Sequence, residues 1–278
     1  MRLGGPVYAD CSTPEKWIAG LKKHGYSAAY CPVGNDASDE VVRAYADAAK
    51  AANLVIAEVG AWSNPMSPNA EDREKALDLC QKQLALADRI GARCCVNIAG
   101  SRGPIWHGHD PLNLTDETLA MIVETTREII DAVKPTRTYY TLECMQWVYP
   151  ESADSYVRLI EAIDRERFAV HLDPTNLVNS PYRFYNTGDL IRECFAKLGP
   201  KVRSCHAKDV ALAQESIIHL SEVRPGLGGL DYRTYLQELD RLDPDTPLMI
   251  EHLPNEEEYA LAAEHIRKVA AEVGVAIK

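Results

Sequence analysis

The sequence lacks long apolar runs, paired cysteine motifs and any excess of basic residues. No uncharged apolar segment approaches the roughly 18 residues that a membrane helix needs, and residues 1–11 lack the basic and apolar regions of a signal peptide. The eight cysteines are scattered along the chain, and none forms a Cys-x-x-Cys pair. In a chain of 278 residues this pattern is typical of reduced thiols in a cytoplasmic protein, not of a disulfide framework.

Missing motifs and charge argue against several functional classes. The sequence has no GxGxxG after an early strand, no P-loop and no Gly-x-Ser-x-Gly, so nucleotide-binding and serine-hydrolase functions are not predicted. The formal net charge is −11, and a field of that sign repels phosphate backbones and anionic membrane surfaces. We therefore predict neither a nucleic-acid nor a membrane partner. A small sugar phosphate stays open as a ligand, because one local basic pocket suffices to bind it.

Short apolar segments alternate with longer amphipathic ones along the whole chain. The hydrophobic content of 46% permits a large core, and 278 residues suit one α/β barrel, which typically takes about 250. Each candidate strand is short and apolar, as buried parallel strands are. The candidates are Pro6–Ala9, Ser27–Pro32, Leu54–Gly60, Cys94–Ala99, Tyr139–Cys144, Phe168–Asp173, Val202–Ala207 and Leu248–His252.

The segments between these strands are predicted to be helices. Apolar residues recur at helical spacing over Asp116–Val133, and similar stripes occur in Ser152–Asp164 and in the last helix, from Tyr259 onward. Asn69–Ile90 is longer and ends before a glycine, a common helix stop. Eight strands alternating with eight helices predict a single (β/α)8 TIM-barrel domain over residues 1–278. A doubly wound open sheet is the alternative.

Four successive candidate strands end in a side chain that can bind a metal. These side chains are Glu143, Asp173, His206 and Glu251. Because the carboxyl ends of barrel strands form the active face, we expect the four to converge. Three buried carboxylates at one mouth repel one another unless a cation relieves the repulsion, and a neutral imidazole completes the set. For each residue alone, a helix cap or a salt bridge is the alternative.

At these positions the sequence resembles the xylose isomerase-like TIM-barrel superfamily of sugar isomerases and epimerases. The motifs that carry the resemblance lie mainly in the second half of the chain. They are Leu142-Glu143, His171-Leu-Asp173-Pro-Thr-Asn176, His206-Ala-Lys208-Asp209, Pro225-Gly226-Leu-Gly228-Gly229-Leu-Asp231-Tyr232 and Ile250-Glu251-His252, together with Leu3-Gly4-Gly5-Pro6 near the start.

The resemblance implies one divalent metal ion held by these four residues, with Mn2+ the first choice and Mg2+, Co2+ or Zn2+ as alternatives. It implies that Glu143 and Glu251 are catalytic: one carboxylate removes a proton beside a carbonyl, and the other returns a proton to the metal-bound enediolate. The implied function is isomerisation or epimerisation of a small sugar or sugar derivative. If the substrate carries a leaving group one carbon further on, the same metal site implies instead a lyase or dehydratase of a keto-sugar or keto-cyclitol. A non-catalytic sugar-binding subunit is a third interpretation, and the resemblance also implies a homo-oligomer.

Two further residues share strand faces with the predicted ligands. His171 precedes Asp173 by two positions, so both side chains point to one face. His171 either orients a ligand, contacts substrate, or is a satisfied core histidine. Lys208 stands in the same relation to His206, and it either binds a substrate oxygen or pairs with Asp209. The run that follows His206 resembles keto-inositol dehydratases more than ketose 3-epimerases.

The loop Ser101–Asp110 follows the fourth predicted strand at the active end. Trp106 and His107 lie in it, and Trp62 follows the third strand. We predict that these residues contact substrate, His107 through a hydroxyl or a proton and the indoles by stacking on a sugar ring. A solvated loop with an aromatic anchor is the alternative. The glycine-rich loop 225–231 either cradles a phosphate with backbone N–H groups or forms a helix-capping turn.

Overall fold

Eight parallel strands close into a barrel in the computed structural model, which describes residues 1–278. The strands of the chain are β1 (Arg2–Gly4), β2 (Ala28–Tyr30), β3 (Val55–Gly60), β4 (Cys94–Asn97), β5 (Tyr140–Glu143), β6 (Phe168–Leu172), β7 (Val202–Ala207), β8 (Asp209–Leu212), β9 (Leu220–Val223) and β10 (Pro247–Ile250). Strands β8 and β9 form a separate antiparallel hairpin, and β1 pairs with both β2 and β10. This closure confirms the predicted (β/α)8 barrel and excludes the open sheet.

Nine α-helices, one more than predicted, connect the strands and pack around the barrel. They are α1 (Pro14–Lys23), α2 (Asp39–Ala51), α3 (Ala70–Ile90), α4 (Asp116–Val133), α5 (Ala153–Ile163), α6 (Pro181–Tyr185), α7 (Thr187–Leu198), α8 (Tyr232–Asp240) and α9 (Glu256–Val273). Helix α4 has the predicted bounds, and the Thr115 side chain caps it by accepting from the Thr118 N–H. Helix α3 ends at Gly91, which takes a left-handed conformation. None of the helices is long and apolar enough to span a membrane.

The first strand lies nearer the start of the chain than the apolar pattern indicates. We predicted Pro6–Ala9, but Arg2–Gly4 pairs with β10. Pro6 has no N–H to donate to a strand ladder, and the Val7 side chain instead fills the space beside Gly20 of α1. The other seven predicted strands overlap the observed ones, and their ends differ by at most two residues.

The hairpin β8–β9 was not predicted from the sequence. It begins at Asp209, whose carboxylate accepts hydrogen bonds from the N–H groups of Gly226, Gly228 and Leu230 at 2.9–3.0 Å. These N–H groups of the glycine-rich loop therefore bind a side chain of the protein and not a phosphate. At the end of that loop, Asp231 caps α8, so the capping-turn interpretation agrees with the structure.

The Tyr156 hydroxyl connects two strands that lead into the predicted site. Tyr156 lies on α5 and is 1% exposed. Its hydroxyl lies 2.6 Å from the Leu142 carbonyl oxygen and 3.1 Å from that of Ala169, and it accepts from the His171 N–H at 3.3 Å. It thereby fixes β5 and β6 to α5 and satisfies buried backbone groups of both strands.

Replacing Tyr156 with phenylalanine should lower the free energy of unfolding by about 1–3 kcal/mol, because buried backbone groups lose a hydrogen-bond partner. Urea unfolding followed by circular dichroism measures the change. Tyr182→Phe is the matched control, since Tyr182 is 75% exposed and its loss of a hydroxyl should change stability by less than about 0.5 kcal/mol. Equal stabilities of the two variants would contradict this role for Tyr156.

Candidate active site and metal centre

Four side chains meet at the carboxyl ends of β5, β6, β7 and β10. Glu143 ends β5, His206 lies in β7, and Asp173 and Glu251 each follow their strand by one residue. Their ligand atoms all lie within 4.8 Å of one another. His206 Nδ1 is 3.0 Å from Glu143 Oε1, 2.9 Å from Glu251 Oε1 and 3.9 Å from Asp173 Oδ2. The structure thus brings together the four predicted ligands, whose metal-binding role stays a prediction.

The cluster fits a cation because its negative charge is not balanced. Lys208 Nζ lies 2.5 Å from Glu251 Oε1, 3.1 Å from Asp173 Oδ2 and 3.4 Å from Glu143 Oε1. Three carboxylates therefore share one ammonium group, and Asp173 Oδ2 and Glu251 Oε1 accept no well-directed hydrogen bond. Three carboxylate oxygens and the His206 nitrogen form a donor set that suits Mn2+, Mg2+, Co2+ or Zn2+.

The pKa values of the cluster reflect the same excess of acid. Burial, together with the charges of Glu143 and Glu251, raises the pKa of Asp173 to about 7 despite Lys208. Burial also pushes the pKa of Glu251 upward, but the charges of His206 and Lys208 outweigh it and lower the pKa to about 2. For His206, burial lowers the pKa, and the surrounding carboxylates raise it well above its usual value. A divalent cation would supply the positive charge that these carboxylates attract, and would leave His206 neutral as a ligand.

Glu58, inside β3, contacts the edge of the His206 ring that faces away from the other three carboxylates. It is 2% exposed, its Oε1 lies 3.2 Å from His206 Nε2, and its Oε2 accepts from the Ser204 hydroxyl at 3.0 Å. With Nδ1 facing the cluster, an Nε2–H that donates to Glu58 fixes both the tautomer and the ring orientation. Glu58 was not predicted as a site residue, because it lies inside a strand and not at a strand end. A single acid within an otherwise apolar strand was the available signal.

His171 lies beneath the cluster and does not line the cavity above it. It is fully buried, and its ring centroid is 4.0 Å from that of His206. Its Nδ1 lies 3.5 Å from Glu58 Oε2. Burial lowers the pKa of His171 to about 4, so the ring is neutral at pH 7. This placement favours support of His206 over contact with substrate, which stays a prediction.

A cavity of about 650 Å³ opens above the cluster at the mouth of the barrel. Its lining includes Lys208, Trp62, Trp106 and His107, four of the five residues predicted to contact substrate. A wider crevice of about 1080 Å³ contains no predicted site residue. Volume alone therefore does not locate the site, which in barrels of this kind lies at the carboxyl ends of the strands.

Several polar residues of the cavity wall, among them Asn176 and Glu222, were not predicted as site residues. Asn176 donates its side-chain N–H to Glu143 Oε1 at 3.0 Å and so orients that carboxylate. Glu222, on β9, lies 3.9 Å from Lys208 Nζ. Asn176 ends the motif that begins at His171, and it could have been proposed as a site residue from that motif. Glu222 reaches the cavity only because the hairpin folds over the mouth, and no local pattern indicates that. Lys208 faces these carboxylates and does not pair with Asp209.

Residues 18–269 match the family model of xylose isomerase-like TIM barrels. No curated protein matches the sequence.

Solved structures of low sequence identity share the fold. D-psicose 3-epimerase from Clostridium cellulolyticum H10, solved with D-tagatose, is 15% identical with a TM-score of 0.68, covering 99% of this chain and 100% of that chain. A xylose isomerase-like TIM-barrel protein from Mycobacterium smegmatis, solved in complex with magnesium, is 18% identical with a TM-score of 0.65. The match covers 94% of this chain and 89% of that chain. A probable 3-DHS dehydratase from Bacillus anthracis is 15% identical with a TM-score of 0.68. The match covers 92% of this chain and 93% of that chain. At these identities the likeness establishes the fold and leaves the reaction open.

Replacing Glu58 with glutamine should weaken Mn2+ binding about 10- to 100-fold, because the outer carboxylate that orients a metal-binding histidine is lost. Calorimetric titration of Mn2+ into chelator-treated protein measures the Kd. Glu124→Gln, on the exposed face of α4, should leave the Kd unchanged. A Glu58→Gln variant that unfolds at the wild-type temperature and binds Mn2+ equally well would show that Glu58 does not act through His206.

Proposed function

The chain belongs to the family of xylose isomerase-like TIM barrels, and from that membership we propose that it is a divalent-metal-dependent isomerase or epimerase of a small sugar or sugar derivative. One observation carries the proposal. The carboxylates of Glu143 and Glu251 both approach His206 Nδ1 within 3.0 Å, from strands that are separated by two others in the barrel. Both side chains line the same cavity. Two carboxylates that flank one point are the arrangement that proton removal and return require.

Glu143, Asp173, His206 and Glu251 would hold the metal, with Mn2+ our first choice. Bound there, a divalent ion polarises a substrate carbonyl and acidifies the adjoining C–H bond. Glu143 is oriented by the Asn176 amide. We assign removal of the proton to one of the two glutamates and its return, on the other face, to the second.

Lys208 has a separate part in this proposal. Its ammonium lies 2.5 Å from Glu251 Oε1 and 2% of the residue is exposed. A desolvated cation at the base of the cavity stabilises negative charge on a substrate oxygen when the proton leaves carbon. The side chain thus provides electrostatic stabilisation beside the two bases.

A lyase is the competing proposal, and the probable 3-DHS dehydratase among the similar folds supports keeping it. The same proton removal expels water or an aglycone when that group stands one carbon further on. To separate the two reactions, the Mn2+-loaded protein is incubated in D2O with ketoses, sugar phosphates and keto-cyclitols. Deuterium in a product of unchanged formula supports the isomerase or epimerase. A dehydrated or cleaved product supports the lyase, and no exchange with any substrate supports a non-catalytic sugar-binding subunit.

Glu143→Gln and Glu251→Gln should each lower turnover by at least about 100-fold, because each removes one proton-transfer group. Turnover is measured on the substrate found by the D2O screen, at a metal concentration that saturates each variant. Circular dichroism should report a folded barrel in both variants, and Glu124→Gln serves as the active control. An active Glu251→Gln variant would rule out the two-glutamate mechanism.

A further inference from the structure

We infer that the substrate of this cavity is a neutral, unphosphorylated sugar or cyclitol derivative that carries an aromatic or other apolar group next to its ring. The inference rests on the proposed function, because it names the substrate class of the same cavity. Two independent features of the lining carry it: the sign of its charge and the exposure of its indoles.

The cavity has no lysine or arginine that is free to bind a phosphate, and His252 in its lining already lies 3.2 Å from Glu222. Lys208 is the only lysine or arginine in its lining, and its ammonium already lies within 3.4 Å of Glu143, Asp173 and Glu251. Glu222, on the wall of the cavity, adds a fourth carboxylate to the three of the cluster. Counted together, the four carboxylates of the cluster and the wall carry one charge more than Lys208 and a divalent ion would supply. That charge repels a phosphate or carboxylate group on the substrate.

Backbone N–H groups near the cavity do not compensate. Those of Gly226 and Gly228 donate to the Asp209 carboxylate at 3.0 Å each. A glycine-rich turn binds phosphate only through N–H groups that point outward and lack a partner. Here the protein supplies its own anion, so the turn serves the fold of the hairpin.

Three tryptophans surround the mouth of the cavity. Trp62 follows β3, Trp106 lies in the loop after β4, and Trp147 follows β5. Trp62 is 42% exposed and Trp106 is 39% exposed, and apolar surface left in water is unfavourable unless a ligand covers it. The Trp147 indole N–H donates to the His107 carbonyl oxygen at 2.9 Å, so its polar edge is already used within the protein.

Local contacts influence where the indoles lie. A side-chain carbon at residue 60 would collide with the Trp62 indole nitrogen, so Gly60 is what lets this ring lie across the end of β3. The bond from Trp147 to His107 ties the loop after β5 to the loop that carries Trp106. The cavity of about 650 Å³ exceeds what one sugar ring fills and falls within the range of about 300–1,000 Å³ of sites for drug-sized ligands. We therefore place the reacting ring at the carboxylates and its apolar substituent against the indoles.

The test is a calorimetric comparison of three probes with the Mn2+-loaded protein: D-fructose, fructose 6-phosphate and 4-nitrophenyl glucoside. We expect the aryl glucoside to bind at least tenfold more tightly than fructose, and the phosphate ester to bind no more tightly than fructose. Trp62→Ala and Trp106→Ala should each weaken aryl-glucoside binding about 3- to 10-fold, through lost stacking, and weaken fructose binding by a smaller factor. Tyr182→Ala, at an exposed ring outside the cavity, is the matched control.

An aryl glucoside that binds no more tightly than fructose, including one that does not bind, would overturn the inference, and so would preferential binding of the phosphate ester. Such a result leaves the proposed function intact if free ketoses still exchange deuterium. Conversely, tight aryl-glucoside binding without exchange or cleavage of any keto-sugar would overturn the proposed function and leave the binding preference standing.

Discussion

The burial of Glu58, Glu143, Asp173 and Glu251 around the imidazole of His206 is the constraint on which the rest of this structure depends. A buried carboxylate without a partner costs several kcal/mol, so each of these groups needs a positive or hydrogen-bonding neighbour held at short range. The closed barrel provides this rigidity, because each strand that carries one of the five is paired on both sides. An open sheet would leave edge strands free to move apart, and the mutual repulsion of the acids would drive them to do so.

Tyrosine hydroxyls extend this rigidity from the helices to the site. Tyr235 Oη donates to the His206 carbonyl oxygen at 2.8 Å, and Tyr232 Oη donates to that of Lys208 at 2.7 Å. Both tyrosines lie on α8, and Tyr156 of α5 makes the corresponding contacts with β5 and β6. The backbone that presents a charged side chain is thus fixed from outside the barrel. Packing of α8 and α5 determines how far His206 and Lys208 can shift, which makes the outer shell of helices part of the site.

The sequence was sufficient for those features that have a local pattern. Alternation of short apolar and long amphipathic segments predicted the barrel, and polar residues at four strand ends predicted the cluster. Three-residue strands have no periodicity to detect, which is why Arg2–Gly4 was missed in favour of Pro6–Ala9. The hairpin β8–β9 was not predicted because its outer strand is largely exposed and the loop after it depends on the Asp209 carboxylate. Glu58 was missed because its partner, His206, lies 148 residues away, and no spacing in the chain reports that contact.

The cavity separates binding from chemistry. Its buried charged groups, Lys208 with Glu143 and Glu251, lie at the base, whereas the exposed indoles of Trp62 and Trp106 lie at the mouth. Interactions with a substrate that are equally strong before and during reaction do not accelerate it. A neutral substrate held by the indoles gains its affinity away from the reacting carbon. The buried charges then act mainly on the negative charge that develops as the proton leaves, which is where electrostatic stabilisation increases rate.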